Sequence, residues 1–257
     1  MLQVEHDEKW IKRLSALSKV YFTPTFIGAE QLDASQPAMY VGNHSMYGVL
    51  DSPMLIDYLY NEHQVAVVSI ADHSHFYLPL WRSVVKKFGA VDGVPAYVRE
   101  AMQQGYSILV FPGGGREVLK REGEQYHLIW KQRYGFLKLA QEFGYDIVPF
   151  AALGGDEVFD IGFDANKVVQ HQYFQKLLQV PQLSRLLRKG EVIPSLPKHL
   201  IPKRLPFYFK FMPRQSLMHI ENLEQLQQFR DLIAAEIYTG LADLRVLRQQ
   251  QHGDRFD

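Results

Sequence analysis

A histidine with a carboxylate beside it is the simplest general base a protein can build, and the segment VGNHSMYGVLDSP at 41–53 offers both groups. An imidazole is the usual general base of proteins, and His44 stands where an apolar run ends in Gly42 and Asn43, so it would be held yet reachable. Its task would be to take a proton from a hydroxyl as that oxygen attacks an activated carbonyl. Such a base needs an acceptor to fix its tautomer, and Asp51 is the nearest carboxylate. In a regular helix, seven residues put the two on one face but ~10 Å apart. Asp51 is therefore the partner only if Gly48 breaks the helix and the intervening residues loop out. Otherwise it supplies negative charge at the start of the helix that follows.

A second segment, FPGGGREVL at 111–119, joins three glycines to a charged pair. Gly113, Gly114 and Gly115 could turn backbone N–H groups toward an anion or a developing oxyanion. Arg116 adds a fixed charge suited to phosphate or carboxylate, and Glu117 follows it. The loop lacks the Gly-Lys-Ser/Thr ending of nucleotide hydrolases. The cluster Asp72, His73, Ser74 and His75 tempts a zinc reading, but no recognisable spacing supplies the remaining ligands. It reads as the polar start of a helix, with no metal expected. Asp92, beside Gly93, reads as turn chemistry. Ser45 raises a serine hydrolase, yet no Gly-x-Ser-x-Gly elbow is present. The chain has no cysteine, which removes thiolate sites, disulfides and a cysteine nucleophile together.

These residues need a scaffold that brings distant segments together. PAMYVGN, QVAVVSI, SILVFP and YDIVPFAALGG read as buried strands. Between them lie SPMLIDYLYNEH, with Ser52 as N-cap and Pro53 in the first turn, FYLPLWRSVVKKFG, PAYVREAMQQG and WKQRYGFLKLAQEFG, all helical in pattern. The alternation predicts an α/β fold: one domain over 1–257, with a mainly parallel central sheet flanked by helices. TPTFIG and PFYFKFM add further strands, and the segment from Leu223 onward forms a long closing helix. Ligands of such sheets bind beyond the carboxyl ends of the strands, where 43–48, 111–117 and the stretch around Pro149 would converge.

The 257 residues carry 28 basic and 28 acidic side chains, so no overall field marks a nucleic-acid binder. The balance hides an asymmetry. Between 165 and 220, Glu191 is the only acid among ten lysines and arginines. That basic, apolar segment, and an amphipathic helix at about 5–22 bearing Trp10, Tyr21 and Phe22, both suit an anionic membrane surface. No run is long and apolar enough to span a bilayer, and the first residues do not resemble a secretory signal. The expected location is cytoplasmic, peripherally associated with the membrane.

NHSMYGVLD, GAVDG, FPGGGREVL and IVPFAAL occur in the order of the four motif blocks of the phospholipid/glycerol acyltransferase superfamily, which the chain resembles over 26–159. Three positions depart from that pattern. Val49 stands at the family's aspartate and Asp51 lies two residues late. Gly113 replaces the glutamate of Phe-Pro-Glu-Gly-Thr-Arg, while Arg116 is kept. GAVDG lacks the second block's closing arginine. The departures are similar to the neutral-lipid branch of type-two diacylglycerol acyltransferases and phytyl ester synthases.

The resemblance implies a glycerolipid acyltransferase-like fold and transfer of an acyl group from acyl-CoA or acyl-carrier protein to a lipid hydroxyl. It gives His44 and Asp51 the catalytic roles. Asn43, Gly113, Gly114, Gly115, Arg116, Glu117 and Pro149 fall to substrate binding, with no cofactor beyond the thioester donor. The missing second-block arginine favours a neutral alcohol as acceptor. The displaced Asp51 leaves open a non-catalytic lipid-binding member of the same fold.

Overall fold

The computed structural model describes residues 2–77 and 79–256, leaving aside the side chains of Ser74, Leu186, Asp254 and Phe256. Leu78, inside one predicted helix, lies outside the described residues. The chain runs α1 (Glu8–Phe22), β1 (Thr25–Ile27), β2 (Ala38–Gly42), α2 (Asp51–Asp57), β3 (Val67–Ala71), α3 (Pro79–Lys87), β4 (Ala90–Asp92), α4 (Pro95–Gln103) and β5 (Ser107–Val110). It continues through α5 (Gly114–Val118), α6 (Gly135–Phe143), β6 (Asp146–Leu153), β7 (Ile161–Phe163), α7 (Asn166–Val169), α8 (Gln172–Leu177), α9 (Pro181–Leu186), β8 (Leu196–Pro197), β9 (Tyr208–Phe211) and α10 (Leu223–His252).

Seven strands form one sheet in the order β1-β9-β6-β2-β5-β3-β4. The strands from β6 to β4 pair in parallel, as the alternating pattern predicts. β9 runs antiparallel to β6 and carries β1 alongside it in parallel, so that edge reverses direction.

The central strands are apolar on both faces because both faces are covered. Along β2, Met39 and Val41 enter the core under α4, α6 and α10, while Ala38 and Tyr40 enter the one under α1 and α2. Period-two alternation thus feeds two different cores rather than a core and solvent.

Two predicted helix boundaries differ. Ser52 does not cap α2: the helix starts at Asp51, two residues before the predicted Pro53, and Ser52 N–H donates to Asp51 Oδ1 at 2.8 Å. The helix predicted from Trp130 begins only at Gly135. Lys131 has φ +53, which no helix interior tolerates, and the buried Trp130 packs edge-on against Phe136 at 5.9 Å between ring centroids.

Surface patterns differ too. In α1, Phe22 is buried and Trp10 is half-buried with Lys87 4.4 Å above its ring. The large apolar side chains α1 exposes are Leu14, Leu17 and Val20, among charged ones. Phe207, Phe209 and Phe211 are core residues, while Leu196, Leu200 and Ile201, just ahead of them in that basic stretch, are exposed. Among the described residues, no helix is long and apolar enough to cross a membrane.

Candidate active site

His44 follows β2 directly, and the chain then turns instead of forming a helix. Tyr47 and Gly48 both adopt positive φ, +63° and +62°. A Cβ at Gly48 would sit 2.5 Å from His44 Cε1 and 2.6 Å from Nε2, so space and conformation both demand glycine. The loop brings His44 Nδ1 to 3.2 Å from Asp51 Oδ2. The ~10 Å of a continuous helix is thus avoided at Gly48. Asp51 also accepts from Ser45 N–H at 2.9 Å and from Ser52 N–H, so it serves both as His44's acceptor and as negative charge at the start of α2.

Burial alone would push the Asp51 carboxyl up, but His44 and the Ser45 N–H together outweigh it and hold the group well below the usual carboxylate range. Ionised Asp51 requires the proton on Nδ1, which leaves the lone pair on Nε2. The folded pKa lies below the unfolded one, so this carboxylate stabilises the fold fully above pH 3.8 and loses that contribution as pH falls further. Thermal melts should therefore show a steeper loss of Tm below pH 4 in the wild type than in Asp51→Asn.

The peptide groups around His44 are gripped by charged side chains. His44 N–H donates to Glu117 Oε1 at 2.9 Å, Met46 N–H to Asp156 Oδ1 at 2.7 Å, and Tyr47 N–H to the Val118 carbonyl at 2.8 Å. The His44 carbonyl accepts from Lys120 Nζ at 2.6 Å. Lys120 and Asp156 are a fully buried ion pair at 2.6 Å. Asn43 exchanges two 2.8 Å hydrogen bonds with the Ala152 backbone and so ties the end of β2 to β6. The imidazole lies flat on Phe111, centroids 3.8 Å apart, with 15% of the side chain exposed.

The exposed part of His44 faces an apolar cavity of about 160 Å³ between α2, α3 and β3, lined also by Ile56, Trp81, Val84, Phe88, Gly114 and Gly115. A wider chamber of about 540 Å³ meets it along Ile70, Asp72, Phe111, Gly114 and Gly115, and its walls include Val98, Phe136, Arg133 and Arg188. Arg133 Nη1 donates to the Pro112 and Gly113 carbonyls at 3.0 and 2.7 Å, and Arg188 pairs with Asp72 at 3.0 Å.

The structure gathers some sequence-chosen residues here and sends others elsewhere. His44, Gly114 and Gly115 line the cavity, with Asp51 behind the imidazole. Arg116 does not reach it: its guanidinium bonds the Leu119 carbonyl and Glu124. Gly114 N–H is committed to the Phe111 carbonyl at 2.9 Å. Glu117 is fully buried beneath His44, Asn43 is buried as a clamp, and Pro149 lies within β6 opposite Val41. Burial pushes the Glu117 carboxyl up to about 7 against the pull of Lys120 and the His44 N–H. Sequence reading missed Lys120, Asp156, Arg133 and Arg188. Lys120, three residues after Glu117 in REVLK, was the one legible signal. His73 pairs with Asp92 and His75 accepts from Trp81 Nε1–H. Among the described residues, no group of three or more His, Asp or Glu is placed to hold a metal ion.

An α/β sheet thus carries an Asp-held histidine at the wall of an apolar cavity. The profile of the Acyltransferase family matches residues 23–152, half of the chain, and the chain belongs to that family. It is similar to two Arabidopsis thaliana proteins. Identity is 34% over 145 residues with phytyl ester synthase 2, chloroplastic (53% of this chain, 20% of the relative), and 30% over 182 residues with phytyl ester synthase 1, chloroplastic (65% and 25%). The chain thus spans a quarter or less of the length of either relative. The Thermotoga maritima 1-acyl-sn-glycerophosphate acyltransferase shares the fold, with a TM-score of 0.52 at 15% identity, covering 91% of this chain and 79% of that one.

Proposed function

We propose that the protein transfers a fatty acyl group from a thioester donor, acyl-CoA or acyl-carrier protein, to the hydroxyl of a neutral lipid alcohol at a membrane surface. The observation that carries the reading is the His44–Asp51 pair, 3.2 Å apart at the mouth of an apolar cavity. His44 Nε2 takes the proton of the alcohol as its oxygen attacks the thioester carbonyl. The tetrahedral intermediate collapses with loss of the C–S bond, and the imidazolium returns its proton to the departing thiolate. An ester and a free thiol result. Ionised Asp51 stabilises the imidazolium between the two transfers.

The two chambers divide the substrates. The apolar one beside His44 suits an alkyl chain, and the wider one, with Arg133 and Arg188 in its wall, suits the phosphates of the donor. A neutral acceptor fits both the missing arginine of GAVDG and the ester-synthase names of the relatives.

Membrane contact rests on one surface. Tyr21 OH donates to the Pro202 carbonyl at 2.9 Å and joins α1 to the loop before β9. Leu17, Leu200 and Ile201, 76, 87 and 79% exposed, stand out from that junction beside Lys198, Lys203 and Arg204. Apolar groups rimmed by cations fit an anionic interface.

Acyl-CoA and acyl-carrier protein, offered with phytol, diacylglycerol and lysophosphatidate in anionic vesicles, should yield ester from a neutral acceptor and little from the phosphorylated one. Vesicle binding without turnover of any pair would leave only a lipid-binding protein. The variant Leu200→Asp/Ile201→Asp should weaken vesicle binding about tenfold or more, while transfer between detergent-dispersed substrates stays within about twofold. Undiminished vesicle binding would remove this surface from the docking role.

A further inference from the structure

Gly113 raises a question that its backbone does not answer. Its φ of −68° and ψ of −25° are ordinary for any L-residue, so no turn requires glycine there. What requires it is Glu117. That side chain folds back from the next turn, and a Cβ at position 113 would fall inside the van der Waals radius of Glu117 Oε2. The missing side chain is the slot in which the carboxyl group lies.

The carboxyl is fully buried and lines neither cavity. Oε1 accepts the His44 N–H at 2.9 Å, while Oε2 has no hydrogen-bond partner among the described residues. A buried carboxyl with one idle oxygen is costly, and folding alone gives no reason to keep it. The benefit lies at His44. Lys120 holds the His44 carbonyl and Glu117 holds the His44 N–H, so the two peptide units flanking the His44 Cα are both fixed. With Phe111 beneath the ring and Asp51 behind it, this sets the direction of Nε2.

We propose that Glu117 is a positioning residue for His44, acting through the His44 backbone N–H and dependent on the empty side-chain position at Gly113. The inference rests on His44 being the base of the proposed reaction. What counts is a carboxyl oxygen at one place, not the chain position that supplies it. A Cβ at position 113 would also lie 2.5 Å from the Cβ of residue 117, so the slot is cleared only in Glu117→Gly, where an aspartate at position 113 would project its carboxylate into it.

Glu117→Ala should lower kcat about 10–100-fold with KM within about threefold, because a misdirected base impairs chemistry rather than binding. Glu117→Gln keeps the acceptor oxygen and should stay within about fivefold of wild type. Gly113→Asp combined with Glu117→Gly should recover most of the loss. The second readout needs no substrate. In ¹⁵N-histidine-labelled protein, the His44 Nδ1–H resonance should shift in Glu117→Ala and return in the double variant. If wild-type protein turns over no donor or acceptor, the acyltransferase reading fails, and the NMR series still decides the positioning role. A Glu117→Gln variant as slow as Glu117→Ala overturns the proposal. So does a folded double variant showing no recovery in either readout, or a Glu117→Ala variant with unchanged kcat and resonance.

Discussion

His44→Ala should lower kcat for acyl transfer by about two to four powers of ten while the protein stays folded. Among the described residues, no other group combines a freely available basic nitrogen with a wall of the apolar cavity. His75 also lines it, but its Nδ1 accepts from Trp81, and burial together with nearby His44 depresses its basicity against the opposing pull of Asp72. The mutation should not unfold the chain, because the backbone around position 44 is held by Glu117, Lys120 and Asn43 through groups alanine retains. Asp51 keeps the Ser45 and Ser52 N–H bonds. The truncated ring leaves a void against Phe111, open on one side to the cavity, that added imidazole can enter. Partial recovery of turnover by millimolar imidazole, absent from wild type, would separate loss of the base from loss of structure. A variant turning over within about threefold of wild type would mean that His44 is not the base.

How far the sequence reaches follows from the range of the interactions concerned. β2, β3, β5 and β6 are legible because strands buried on both faces must be apolar throughout. The position of His44 is legible because β2 must end at Gly42 and Asn43. The antiparallel β9 and its partner β1 are less so, since strand direction at a sheet edge is set by pairing rather than by composition. The His44–Asp51 contact turns on two positive-φ residues, of which only Gly48 announces itself. Arg116 and Glu117 were singled out for their charge, but charge does not tell which way a side chain points on a five-residue helix. One is spent on Glu124 and the other is folded beneath His44. Arg188 reaches the glycine segment from a region with no local link to it. Aromatic and basic residues in LPKHLIPKRLPFYFKFMPR look alike on paper, yet Phe207, Phe209 and Phe211 fill the core while Leu200, Ile201, Lys203 and Arg204 meet solvent.

Replacing Lys120 with methionine should cost about 3–5 kcal/mol of stability and lower Tm by roughly 10 °C. Both members of the Lys120–Asp156 pair are completely inaccessible, so removal of the ammonium leaves an uncompensated charge with no water to receive it. Asp156 would keep only two N–H donors, Met46 at 2.7 Å and Tyr126 at 2.6 Å. The His44 carbonyl would lose the 2.6 Å bond from Nζ. The pair therefore does more than fill the core: its ammonium bridges the His44 loop to the segment after β6. That coupling makes a second result decisive. Asp156→Asn in the Lys120→Met background removes the stranded charge while preserving the shape, and should regain about half of the lost stability. It cannot restore the donor to the His44 carbonyl, so kcat should remain depressed in the double variant. Denaturant melts give the stability and initial rates the turnover, each on its own axis. A single variant within about 1 kcal/mol of wild type would show that water reaches Asp156. Full recovery of both stability and kcat in the double variant would mean that Lys120 balances charge and does not hold the loop.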